Sequence, residues 1–155
     1  MDTVGINSVT LWKMALSIRK EAMEKATQEY NSYVADIRKK IMKDLFTKAY
    51  ITCALCSSTD DNHEPLDKNY DQDDIALETL FEMVQDCFNF RVNNASDMKD
   101  LDIVQCGHDF WLTRQHHEAG FSERNLGEVG DRLTEAAKKF GEVHLHVGDD
   151  RQIYQ

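Results

Sequence analysis

The chain has 155 residues, 41% of them apolar and 30% charged, with a formal net charge of −10. That composition predicts one soluble domain large enough to bury a single core. No apolar run approaches the ~20 residues of a membrane span and no signal-peptide pattern opens the chain, which predicts a cytoplasmic protein without membrane contact.

The charge is unevenly divided. Residues 1–50 carry nine Lys/Arg against six Asp/Glu, and residues 51–155 carry nine against twenty-two, so a mildly basic start precedes a body of charge −13. A body this acidic repels phosphate backbones and disfavours direct nucleic-acid binding. It suits a protein partner with a basic surface, or a protein whose own ligand is a polyanion.

Residues 1–8 are small and polar and predict a frayed start, with Ser8 able to cap a helix beginning near Val9. From Leu11 the apolar positions Leu11, Ala15, Ile18, Ala22, Ala26, Tyr30, Tyr33, Ile37, Ile41 and Leu45 recur in steps of three and four. They predict one long amphipathic helix, or two in line with a break at Asn31-Ser32. A straight helix of that span would be roughly 60 Å long, more than a domain of this size usually offers. It therefore bends back as a core helix, or it pairs with another chain in a homo-oligomer.

Ala49 to Leu55 finishes this helical part. Cys53 and Cys56 have C-x-x-C spacing, but Cys87 and Cys106 form no second pair of that kind. The apolar neighbours favour buried thiols over zinc, and neither metal nor cofactor is expected. Ser57 to Pro65 reads as a loop. Counted from Asp67, oxygen ligands fall at positions 1, 3, 5, 7 and 12 of a calcium loop. Gln72 stands where such a loop needs glycine, so the stretch reads better as a cap, Asp71 or Asp73, opening a helix through Ile75, Leu80, Val84 and Phe88. Residues 59–86 hold ten acids and one lysine. Asp71, Asp73, Asp74 and Glu78 are the expected partner-binding residues on that surface.

Asn93 to Asp97 reads as a second loop, followed by a short helix from Met98 to Gln105. In Gly107-His108-Asp109-Phe110-Trp111-Leu112-Thr113-Arg114, the residues Phe110, Leu112 and Arg114 alternate with Asp109, Trp111 and Thr113. The period of two predicts a strand, and Gly120-Phe121 its return, which makes a β-hairpin with a polar tip. Trp111 then either faces out as an anchor for a partner or is covered by the N-terminal helix. His108, Arg114, His117 and Glu123, with Asp109 beside them, are the candidate catalytic residues, since a His and a carboxylate on facing strands can do acid–base work. Leu126 to Phe140 has helical spacing, with Asn125 as cap and Gly141 as stop. Val143 to Val147 and Gln152 to Tyr154 read as two strands joined at Gly148-Asp149-Asp150. The expected fold is α+β: long N-terminal helical segments, then a small antiparallel sheet of two hairpins separated by a helix, packed on helices. It is one domain, 1–155, with a helical segment 1–50 and an acidic α+β body 51–155.

Several of these pieces resemble a family of small proteins encoded by bacterial phages and mobile elements. Its members share SSTDD-x-x-x-PLD-x-NY, then GHDFWLTRNGHGAGFWDRG, then a helix ending AAK-x-FGE, then a GDD turn with a final Tyr. Here the matching residues are Ser57 to Asp61, Pro65 to Asp67, Asn69-Tyr70, Gly107 to Arg124, Ala136 to Glu142, and Gly148 to Asp150 with Tyr154. The chain departs from the pattern with Gln115-His116-His117-Glu118 for Asn-Gly-His-Gly, and with Ser122-Glu123 for Trp-Asp. The resemblance implies a phage protein made in a bacterial cytoplasm and implies no reaction. The first functional expectation is a binder that modulates or inhibits a host protein, possessing carboxylates where that host protein expects phosphates. The alternatives are a small hydrolase or metal-dependent enzyme acting at the hairpin, and a helix-mediated oligomeric scaffold.

Overall fold

The computed structural model describes residues 8–155, so the expectations for residues 1–7 and for the capping side chain of Ser8 lie outside the described residues. The chain divides into two compact units, Met1–Lys39 and Lys40–Gln155. The first is described by helix α1, Ser8–Ile41, which runs unbroken through Asn31-Ser32. The second contains α2 (Leu45–Ser57), α3 (Leu77–Asn93), α4 (Ala95–Met98), α5 (Ile103–Arg114), α6 (Glu128–Lys138) and two short strands, β1 (His146–Val147) and β2 (Ile153–Tyr154). The unit boundary at Lys39–Lys40 leaves the whole of α2 within the second unit, whereas a division at residue 50 would cut through it.

The expected α+β fold is corrected to a mainly helical one. Residues 107–114 belong to α5 and form no strand, and residues 121–124 form a 3-10 turn where the return strand was expected. Among the described residues only the C-terminal hairpin exists, pairing His146 with Tyr154 and Val147 with Ile153; its first strand is limited to His146–Val147, and Val143 to Leu145, expected in it, are not strand. The helix expected from Met98 to Gln105 is replaced by the end of α4 and the start of α5. Asn125 adopts a left-handed φ of 55° and does not cap α6, which starts after Gly127.

Local chemistry sets the helix starts. Asp44 caps α2, its Oδ2 accepting from Thr47 N at 2.9 Å and from Thr47 Oγ1 at 2.6 Å. Asp102 caps α5 in the same way, accepting from Gln105 N at 2.7 Å. Neither Asp71 nor Asp73 caps α3; the cap position is Ala76, without a side-chain bond. Asp71 and Asp74 instead close the preceding turn, accepting from Asp73 N and Asp71 N.

The core lies where α2 crosses α5, with α3 against both. Phe46 and Tyr50 of α2, Phe90 of α3, Phe110 and Trp111 of α5, and Phe121 are all buried. Phe90 and Phe110 stack with centroids 4.1 Å apart and planes within 15°. Gly107 permits the crossing, because a Cβ there would lie 2.4 Å from the carbonyl oxygen of Phe46.

Candidate functional site

The stretch 107–124 is the expected site, and its buried polar side chains, Asp109, Thr113 and Arg114, all have structural partners. Asp109 is 2% exposed. It accepts from Arg124 Nε and Nη2, the shortest contact being 2.7 Å, and from Gln105 Nε2 at 2.9 Å. A buried carboxylate bound bidentately is thereby neutralised in place. Thr113 Oγ1 accepts from Phe121 N at 3.1 Å, and Gly120 passes so close that a Cβ would lie 2.0 Å from that oxygen.

Arg114 is the centre of a second network and is 2% exposed. Its Nη1 donates to Tyr50 Oη at 2.6 Å and to Asp86 Oδ2 at 2.7 Å; Nε and Nη2 donate to the carbonyls of Gly141 and Phe140. Its guanidinium also lies over the rings of Phe110 and Phe140. Burial raises the pKa of the Tyr50 hydroxyl, which keeps it neutral. Tyr50, Asp86 and the Phe140–Gly141 carbonyls come from three other parts of the chain. No local pattern announces them.

The expected catalytic group is therefore not assembled. Arg114 is inside the core. His117 and Glu123 are exposed, and His108 is half-buried on the α5 face that also carries Val104 and Leu112. Among the described residues, these four share no hydrogen bond or ion pair. His116 occupies a left-handed φ of 57°, at the position where the resembled family has glycine. Trp111 is corrected from a possible anchor to a core residue: it is 1% exposed, its ring meets Tyr50 edge-on, and its Nε1 donates to Ser57 Oγ at 2.8 Å. The cover comes from α2.

Among the described residues, no group of three or more His, Cys, Asp or Glu could hold a metal ion. Burial pushes the Cys53 thiol up to about 12 and Cys106 up to about 11, and raises that of Cys87 as well. Such thiols are poor nucleophiles at neutral pH. A small pocket of about 190 Å³ opens beside the Asp109–Arg124 pair, walled by Leu101, Phe121 and Leu126.

Within the second unit, α3 presents an open surface. Glu78, Phe81, Glu82, Gln85, Phe88, Asn89 and Val92 recur in steps of three and four and are all exposed. Phe81 is 47% and Phe88 60% exposed. Asp67, Asp71 and Asp73 are exposed on the preceding turns, and Asp74 is half-buried. The C-terminal hairpin adds to this acidic surface, because Ile153 N donates to Asp74 O at 2.8 Å and Ala76 N donates to Ile153 O at 2.9 Å. Gln155 then bonds Glu82, and Tyr154 Oη donates to Asp150 Oδ2 at 2.8 Å. That bond and other interactions hold the Asp150 carboxyl below the usual 3.8. Toward the other end of α3, a groove of about 440 Å³ runs between Phe88, Val92, Met98 and Ile103, rimmed by Arg91 and Lys99.

No helix among the described residues is long and apolar enough to cross a membrane. Comparison with protein-family models, with curated proteins and with solved structures finds no match for this chain.

Proposed function

We propose that this is a phage-encoded small acidic protein that binds, and thereby modulates or inhibits, a host protein with a basic surface, such as one that handles nucleic acid or serves in defence. The phage and host part rests on the resemblance carried by Gly107 to Arg124. The binding part rests on one observation: the exposed face of α3 alternates apolar anchors, Phe81, Phe88 and Val92, with carboxylates, Glu78 and Glu82. Exposed aromatic anchors beside polar and charged side chains are characteristic of a protein-binding surface; here the carboxylates sit at the N-terminal end of the face, around Phe81. The carboxylates supply long-range attraction for a cationic partner and the phenyl rings supply close-range contact area.

The test is affinity capture from bacterial lysate with the wild-type chain, Phe88→Ser and the triple variant Asp67→Lys, Asp73→Lys, Glu78→Lys. These acids are chosen because Asp71 and Asp74 also close a turn. A host protein held by the wild type should be lost or weakened at least tenfold in both variants, and should elute as salt rises. A protein held equally by all three would remove α3 as the binding surface.

A further inference from the structure

Helix α1 has 34 residues, about 50 Å of length, and a lone helix has no core of its own. Along it, Leu16, Met23, Tyr30 and Ile37 are spaced by sevens, and Trp12, Arg19, Ala26 and Tyr33 form a second row of sevens. The two rows are offset by three and four, which makes them the a and d positions of a heptad seam. The seam is open: Trp12 is 64%, Met23 61%, Tyr30 58% and Tyr33 65% exposed. We propose that α1 pairs with α1 of a second copy as an antiparallel two-helix coiled coil.

Three arguments fix the occupant and its direction. The first is fit. When two copies run antiparallel about a two-fold axis, each a residue faces a d residue of the other copy. Aligning the whole helix sets Leu16 against Tyr33 of the second copy, Met23 against Ala26, Tyr30 against Arg19 and Ile37 against Trp12. Large groups meet small or flat ones, and Arg19, the one charge in the central seam, meets an aromatic face. The second argument is charge. A parallel pair would stack Arg19 on its own copy and bring the two Arg38-Lys39-Lys40 runs side by side. Antiparallel pairing separates both. The third is area. The exposed parts of Trp12, Leu16, Met23, Tyr30 and Tyr33 amount to roughly 700 Å² per copy, close to the ~800 Å² per partner of a stable interface.

The experiment uses the full chain in size-exclusion chromatography with light scattering at about 1–100 μM, a range that spans ordinary dimer affinities. The mass should be that of a dimer, and Met23→Glu and Tyr30→Glu should each shift dissociation at least a hundredfold toward monomer while amide hydrogen-exchange protection of α2 and α5 stays unchanged. Direction is read by spin labels at Lys25→Cys and, separately, Lys39→Cys, with Cys56→Ser to remove the exposed native thiol. Antiparallel pairing gives a short distance between labels at residue 25 and one on the order of 40 Å at residue 39, from the helical rise. A monomer across the range, a dimer indifferent to both glutamates, or short distances at both positions would each overturn the proposal.

Discussion

Arg114 shows what a single buried cation does to the meaning of its neighbours. Its guanidinium joins α5 to α2 through Tyr50, to α3 through Asp86, and to the chain after α6 through two carbonyls. Four acceptors depend on it; the Tyr50 hydroxyl is fully buried with it, while Asp86 and the two carbonyls are partly open to water. Arg114→Met keeps the apolar stem but leaves the Asp86 carboxylate and the Tyr50 hydroxyl without their donor. Removing one partner of a fully buried pair costs about 3–5 kcal/mol, and the partial exposure of Asp86 lowers the loss here to about 2–3 kcal/mol. Urea unfolding should show a loss of that size with an unchanged slope. A loss below about 1 kcal/mol, the level of an exposed pair, would mean that the network is solvated and that Arg114 is free for other work.

At the scale of elements, the crossing of α2 over α5 organises the body, and Gly107 sets its distance. A Cβ at that position would lie 2.4 Å from Phe46 O and 2.9 Å from Ala49 Cβ, both parts of a helix that cannot yield locally. Alanine would gain up to about 1 kcal/mol in helix propensity. Overpacking against backbone costs about 1–3 kcal/mol and outweighs that gain. Gly107→Ala should therefore unfold at lower urea than the wild type, and a variant of equal or greater stability would show that the helices separate easily. The same crossing explains why α5 is misread as a strand from sequence. Phe110, Trp111, Thr113 and Arg114 are buried together because α5 is covered on several sides, which erases the helical stripe and leaves a chance alternation of apolar and polar residues. The cap signal was present in Asp102 with Gln105 three residues on, but the following apolar pattern hid its meaning. Where one face stays wet, the type of element is legible and its bounds are less so: α6 starts at Glu128 and not after Asn125, and β1 is shorter than Val143 to Val147. The spacing of Leu126 to Phe140 gave α6, with Gly141 at a left-handed φ of 72° beyond its end, and Gly148-Asp149-Asp150 gave the turn between β1 and β2. The acidity of the α3 region was legible as composition. Its exposed Phe81 and Phe88 were not, because a sequence does not say which side of a helix the core takes. The partners of Asp109 and Arg114 required the fold itself.

At the scale of the whole molecule, charge works against compactness. Residues 51–155 carry −13 with nine cations among them. Several of those cations are already committed: Arg114 to Asp86, Arg124 to Asp109 and Arg132 to Asp97. The remaining exposed carboxylates repel one another over distances that salt can reach, since the screening length falls from about 30 Å at 0.01 M to about 8 Å at 0.15 M. The two pairs with a buried member, Arg114–Asp86 and Arg124–Asp109, are screened less. Repulsion should therefore lose more than attraction, and the melting temperature at pH 7 should rise by about 3 °C, roughly 1 kcal/mol, between about 20 and 300 mM sodium chloride. Acid separates this effect from specific ion binding. Hydrogen bonds and charges from Arg132 hold the Asp97 carboxyl below its ordinary 3.8. Burial alone would raise the Asp44 carboxyl, yet the bonds from Thr47 and the charge of Arg91 outweigh it and leave that group lowered as well. A carboxyl with a lowered folded value contributes stability that is present above its unfolded value and lost as pH falls through the folded one. Both contributions thus persist from pH 7 to about pH 5 and fade below about pH 4. The free carboxylates protonate over that same low range, removing the repulsion, so the stabilisation by salt should hold between pH 7 and 5 and shrink below pH 4. Thermal scans over that grid of salt and pH decide it. A melting temperature that falls with salt at pH 7, or a gain of undiminished size at pH 3, would show that carboxylate repulsion is not what salt relieves.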